Sequence, residues 1–173
     1  QLGQVVRLVA DDPSDQERIF QGVIKVIDQA DANLSPPYLA QEVHRVIRKL
    51  ANNPDPYKGM KTLYNEQALK AYPKMKQLVS EHPDPFRAAA LIAIAGNIID
   101  VVSRDLIHIE KNLADAMQCT PAVDHIDRLA LAVNKAKTIL YLGDNAGETV
   151  MDRVLIEQFP PGKQVTFAVR GAP

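Results

Sequence analysis

Within the 173-residue chain, the residue types that could do chemistry at close spacing fall in Gly143-Asp144-Asn145-Ala146-Gly147-Glu148. The apolar run Thr138-Ile139-Leu140-Tyr141-Leu142 ahead of it reads as a strand, and Thr149 to Phe159 regains helical spacing. The segment therefore lies at the carboxyl end of a strand, where ligands bind in open α/β sheets. The dinucleotide fingerprint G-x-G-x-x-G is not met, because only Gly143 and Gly147 are present and the carboxylate of Asp144 stands where a pyrophosphate would approach. Two like unit charges about 4 Å apart repel by roughly 4 kcal/mol at an effective dielectric near 20, enough to exclude a bare phosphate. A cation removes the conflict. Asp144 offers a charged oxygen and Asn145 a neutral carbonyl oxygen, the hard ligands that Mg²⁺ and Mn²⁺ prefer, while the N–H groups of the following helix face phosphate oxygens. Glu148 falls in the first helical turn. A plainer reading stands beside this one: Asp144 and Asn145 cap the helix and the two glycines turn the chain, D-N-x-G being a common turn composition.

Two further places carry polar groups with a possible role. Asn97 and Asp100, three apart, share one face of an otherwise apolar helix, and a buried carboxylate without a partner is costly. They are expected to point toward the Gly143–Glu148 loop, either as a wall of the site or as an internal hydrogen-bond network. Arg170, at the end of the second strand, suits an anion better than a ribose, for which an acidic residue would be usual. The remaining candidates are weak. His44, His82, His108 and His125 show no H-x-x-H or H-E-x-x-H spacing. Gly162-Lys163-Gln164 precedes a strand and lacks the Ser or Thr of a P-loop, so it reads as a turn. Cys119 has no motif around it, and Arg45, Arg48 and Lys49 alternate with apolar residues as on the solvated face of a helix.

The elements that must position these residues divide at about Lys137. Up to Ala136 the apolar residues recur at helical spacing, punctuated by Asp12-Pro13-Ser14-Asp15, Ser35-Pro36-Pro37, Asp55-Pro56 and Asp84-Pro85. The spacing predicts helices near 14–30, 37–52, 56–80, 84–102, 105–117 and 123–136, with Pro73 starting a new turn in the third or kinking it. After Lys137 the order strand, loop, helix, strand is a βαβ unit, with the second strand at Val165-Thr166-Phe167-Ala168-Val169. Such a unit needs parallel strands and a right-handed crossover. Two parallel strands do not cover both faces of a sheet, so further strands are expected outside these residues.

Composition narrows the function classes. With 20 Lys plus Arg against 21 Asp plus Glu, the chain has no summed positive field to draw in nucleic acid or an anionic membrane. One cysteine excludes an internal disulfide and a Cys-rich metal site and suits a reducing cytoplasm. The most apolar run, Ala88 to Val102, is interrupted by polar residues and is shorter than the roughly 20 residues a bilayer demands. The chain opens on Gln1 in what reads as a helix and stops on Pro173 just after what reads as a strand, so it is expected to be cut at both ends. Oligomeric state is not legible.

Tyr141-Leu142-Gly143-Asp144-Asn145-Ala146-Gly147-Glu148, Asp152-Arg153, and Val169-Arg170-Gly171-Ala172-Pro173 together resemble the damage-control phosphatase family. Leu34-Ser35-Pro36-Pro37, Asn53-Pro54-Asp55-Pro56-Tyr57 and Ala95-Gly96-Asn97-Ile98-Ile99-Asp100 extend the likeness in order along nearly the whole chain. It is most similar to the prokaryotic-type branch, without that branch's opening C-x-x-C stretch. The resemblance implies an α/β protein: a mainly helical subdomain over 1–136, then, over 137–173, the first βαβ unit of a Rossmann-like α/β/α metal-binding phosphatase domain. It implies Asp144 and Asn145 as the first two ligands of a divalent cation, Mn²⁺, Co²⁺, Ni²⁺ or Mg²⁺. The third, an Asp shortly after the R-G-x-P motif, falls beyond Pro173.

The expected activity is a cytoplasmic, metal-dependent hydrolysis of a small phosphorylated metabolite, with the cation neutralising the ester and activating a water for in-line attack. Glu148 joins Asp144 and Asn145 in the catalytic set, while Gly147, Glu148, Arg170, Asn97 and Asp100 hold substrate or phosphate. The 173 residues alone are expected to bind metal weakly, to be inert and to expose a sheet edge. A carboxyl methyltransferase using S-adenosylmethionine and a non-enzymatic binding module are the alternatives.

Overall fold

A computed structural model of the chain describes residues 6–7, 9–31, 33–96 and 106–169. Its elements in order are α1 (Pro13–Asp28), α2 (Pro36–Leu50), α3 (Lys58–Glu81), α4 (Pro85–Gly96), α5 (Leu106–Gln118), α6 (Ile126–Lys135), β1 (Thr138–Leu142), α7 (Glu148–Ile156) and β2 (Gln164–Ala168). Helix starts follow the proline punctuation closely. Asp12, not Ser14, is the N-cap of α1, its carboxylate accepting the Ser14 N–H at 2.7 Å with Pro13 in the first position. Helix α6 starts at Ile126 and not near 123, because the Asp124 carboxylate accepts the Ile126 N–H at 3.1 Å and also pairs with Arg87 of α4.

The chain forms two compact units, one reaching to Gly59 and the other running from Met60. In the first, α1 and α2 close on Ile19, Val23 and Ile47, joined by Val6. Each such side chain, fully removed from water, contributes about 1.5–3 kcal/mol.

The second unit holds the βαβ segment. At its centre is α4, with Ala88, Ala89, Ala90, Leu91, Ile92, Ala93 and Ala95 all buried. A helix apolar all round belongs inside a core, and its alanines let neighbours approach closely. Helix α3 runs on through Pro73 instead of restarting there. A proline inside a helix forfeits a backbone bond, at a cost of about 3 kcal/mol. Burial of Ala71, Met75 and Val79 on both sides of it, in the same core as Ile92 and Met151, holds the helix continuous.

Strands β1 and β2 pair in parallel with Thr138 opposite Gln164 and Leu142 opposite Ala168. The turn before β2 carries Gly162 at φ 83°. Lys163 then donates to the carbonyls of Asn134 and Ala136 at 2.6 and 2.8 Å, capping the end of α6 just before β1 begins. On one face of β1, Leu140 and Leu142 are 66% and 72% exposed and border an open groove of about 550 Å³. On the other, Tyr141 packs against the core.

Helix α7 is tied to α3 by a charged cluster. The Glu157 carboxylate accepts hydrogen bonds from Tyr72, from Lys76 at 3.0 Å and from Arg153 at 2.9 Å. Burial alone would raise Glu157, but these three donors outweigh it and hold its carboxyl at about 2. A depressed carboxyl stabilises the fold above its unfolded value near 4.5 and loses that contribution as pH falls toward 2. Glu157→Gln is therefore expected to lower stability at pH 7 by about 1–2 kcal/mol, discounted for the water reaching Lys76 and Arg153. Its acid-unfolding limb should also be shallower, as read by circular dichroism between pH 5 and 2; an unchanged limb would contradict the assignment.

Candidate functional site

Residues 143–147 connect β1 to α7, so their position follows from the parallel strand pair. The Gly143 N–H donates to the Ala168 carbonyl at 2.9 Å and extends the ladder by one residue before the chain turns away. Asp144 and Asn145 then stand exposed at the carboxyl end of the strand, and Glu148 is half-buried in the first turn of α7.

Three side chains converge there. The Asn145 amide nitrogen donates to Asp144 Oδ2 at 3.3 Å and to Glu148 Oε2 at 3.2 Å, and the Asn145 N–H donates to the same Glu148 oxygen at 3.3 Å. The positive edge of an amide thus lies between two carboxylates. A divalent cation satisfies the same two negative groups with a larger charge, and rotation of the amide about its last bond presents the Asn145 carbonyl oxygen to it. The donor set, two carboxylates and an amide oxygen, matches hard cations. Among the described residues no group of three or more His, Cys, Asp or Glu side chains is arranged to hold a metal ion. Asp144, Asn145 and Glu148 are the residues that fit one.

The loop is held from behind by two helices. Gly147, the N-cap of α7, has φ 82° and ψ −45°, a conformation open to glycine and strained for other residues. Its N–H donates to Asn65 Oδ1 of α3 at 2.7 Å, and a Cβ built on it would sit 3.2 Å from the Tyr64 carbonyl oxygen. At the end of α4, Gly96 abuts the first turn of α7, where a Cβ would lie 2.9 Å from Met151 Sδ and 3.2 Å from Glu148 Cγ.

One turn beyond Glu148, Asp152 is 4% exposed and is the buried charged side chain of the described core. The Tyr141 hydroxyl donates to its Oδ1 at 2.7 Å. Burial raises the Asp152 carboxyl above its ordinary range; the Tyr141 bond acts against this and the nearby Glu148 with it. Burial, and then the bond to Asp152, also raise the Tyr141 hydroxyl.

Of the residues expected from the sequence, Asp144, Asn145 and Glu148 are brought together, and Gly147 is buried with its N–H taken by Asn65. Asn97, Asp100 and Arg170 lie outside the described residues. Asn65 and the Tyr141–Asp152 pair were not singled out as functional by sequence reasoning. Asp152 carried a signal, being four residues from Glu148 and so on the same helical face; Asn65, 82 residues from its partner, carried none.

A family model for the damage-control phosphatase ARMT1-like domain matches residues 1–173. The chain belongs to that family. It is 33% identical over 172 residues to an uncharacterized protein of Methanocaldococcus jannaschii, covering 95% of this chain and 57% of that protein. It is 28% identical over 181 residues to a damage-control phosphatase of Archaeoglobus fulgidus, covering 99% of this chain and 62% of that one. A damage-control phosphatase of Pyrococcus horikoshii is 27% identical over 164 residues, 91% of this chain and 55% of its own. The chain thus spans little more than half the length of these relatives. The crystal structure of a DUF89 family protein from Pyrococcus horikoshii superposes with a TM-score of 0.85 at 24% identity, covering all of this chain and 61% of that one. An α/β fold is shared. No helix of the described residues is long and apolar enough to cross a membrane.

A carboxyl raised by burial holds its proton in the folded state above the unfolded value near 3.8, so the fold loses stability as pH rises through that window. Asp152→Asn keeps an oxygen to accept from Tyr141 and removes the charge. It is expected to melt at or above the wild-type temperature at pH 7 and to lose less stability as pH rises from about 4. A melting temperature more than about 4 °C below wild type at pH 7, on the order of 1 kcal/mol for a chain of this size, would contradict this.

Proposed function

We propose that this chain forms part of a divalent-metal-dependent phosphatase acting on small phosphate esters, such as sugar phosphates or related damaged phosphometabolites. The observation that supports it is the convergence of Asp144 Oδ2 and Glu148 Oε2 on the Asn145 amide at 3.3 and 3.2 Å. Asp144 and the Asn145 carbonyl would hold the ion, Mn²⁺, Co²⁺, Ni²⁺ or Mg²⁺, with a third oxygen ligand from outside these residues. When bound, such an ion supplies charge neutralisation and a more acidic water. Glu148 orients water or substrate from the first turn of α7. Gly147 fixes the turn, and Arg170, Asn97 and Asp100, which lie outside the described residues, are proposed to hold substrate or phosphate. The setting proposed is the cytoplasm. The loop has too few glycines for the S-adenosylmethionine alternative, and the convergence of Asp144 and Glu148 on one amide counts against a plain helix cap.

Asp144 is exposed, so its removal leaves the core untouched. In the full-length protein, Asp144→Ala is expected to lower the Mn²⁺-dependent turnover of p-nitrophenyl phosphate by at least about 100-fold, with an unchanged melting temperature in the absence of metal. Wild-type turnover in that variant would overturn the proposal.

A further inference from the structure

The loop that carries Asp144, Asn145 and Glu148 is closed at its far end by Gly147, and Gly147 has no side chain with which to cap α7. The first N–H groups of a helix have no intrahelical acceptor and must find one elsewhere. Here the acceptor comes from another helix. Asn65 Oδ1, on α3, takes the Gly147 N–H at 2.7 Å, and the Tyr64 carbonyl beside it faces the same glycine. Gly147 is buried while Asn65 is exposed, so the Asn65 side chain reaches from the surface of α3 to a backbone N–H that is itself shielded. The conformation at φ 82° and ψ −45° is sparsely populated even among turns and persists only where its surroundings dictate it. That backbone setting determines the direction in which the chain leaves Gly147 for Glu148 on one side and reaches it from Asn145 on the other. A side chain that fixes Gly147 therefore fixes the separation of Glu148 from Asp144 and Asn145.

We propose that Asn65 is a positioning residue of the metal loop, acting through the Gly147 N–H to hold Asp144, Asn145 and Glu148 in a converged arrangement before an ion arrives. The inference rests on the reading of those three residues as a metal-binding set. It also gives the Gly147 N–H a structural partner, so that phosphate oxygens must find their donors among the other groups of the turn.

The test uses the full-length protein, with Mn²⁺ alone as the probe in calorimetry and amide hydrogen exchange as an activity-free readout. In metal-free wild type the Gly147 amide is expected to exchange at least about 100-fold more slowly than an exposed amide; exchange at the exposed rate would overturn the proposal without any variant being made. Asn65→Ala is expected to lose that protection and to bind Mn²⁺ about tenfold or more weakly. Asn65→Asp, which keeps an acceptor oxygen at the same place, is expected to retain protection and to bind Mn²⁺ within about threefold of wild type or more tightly. Wild-type affinity in Asn65→Ala, or a tenfold loss in a folded Asn65→Asp, would overturn the positioning role. Asp144→Ala run alongside separates the two readings. If it binds Mn²⁺ as wild type does, the metal assignment fails; if it loses Mn²⁺ while Asn65→Ala does not, the metal assignment stands and the positioning role fails.

Discussion

The contact on which the second unit depends is the approach of α4 to α7. Helix α4 has alanine at five of its buried positions and ends in Gly96, whose missing side chain lets Met151 and Glu148 lie where a Cβ would be. Close-packed interiors do not yield to added volume without strain, so the first turn of α7 has one place to be. With α7 fixed there and β1 fixed against β2, residues 143–147 must bridge a set distance in a set direction. Within that bridge Gly147 takes its left-handed conformation, and Asn65 holds its N–H. A polar loop at a sheet edge would ordinarily be the most adaptable part of such a molecule; here three separate elements restrain it, β2 through Gly143, α3 through Asn65 and α4 through Gly96.

Such restraint matters because Asp144 and Glu148 direct oxygens at one amide, with Asp152 one turn below Glu148. A preset arrangement of this kind lowers the ordering cost of binding a ligand there. The Tyr141 hydroxyl links the two halves of the design, since it belongs to the strand that leads into the loop and bonds the carboxyl of the helix that leads out.

Much of this was legible in the sequence where chain chemistry is local. Proline and glycine mark the starts of α1, α2 and α4 and the turn before β2, and the β-branched run after Lys137 marks β1, so these starts are found within a few residues, while the expected end of α4 near 102 lies outside the described residues. The loop could be read as a candidate site because a carboxylate, an amide and a second carboxylate fall within six residues of a strand end. What escaped was set by tertiary contact. Pro73 is a helix breaker by propensity, and only the core under Ala71 and Met75 carries the helix across it. Asn65 is exposed on α3, and nothing in its chain neighbours marks it before the fold brings the Gly147 N–H to its side-chain oxygen. The burial of Asp152 likewise depends on packing that its own neighbours in the chain do not encode. The change from helices to strands comes at Lys137, while the compact units part near Gly59, because contacts follow packing and not element type.

Anomalous diffraction from crystals of the full-length protein grown with Mn²⁺ tests the metal assignment most directly. A manganese peak is predicted at coordination distance, roughly 2.1 Å, from an Asp144 carboxylate oxygen and the Asn145 carbonyl oxygen, with the Asn145 amide turned over from its metal-free orientation. A peak elsewhere in the molecule, or none with the Asn145 nitrogen still lying between Asp144 and Glu148, would contradict it.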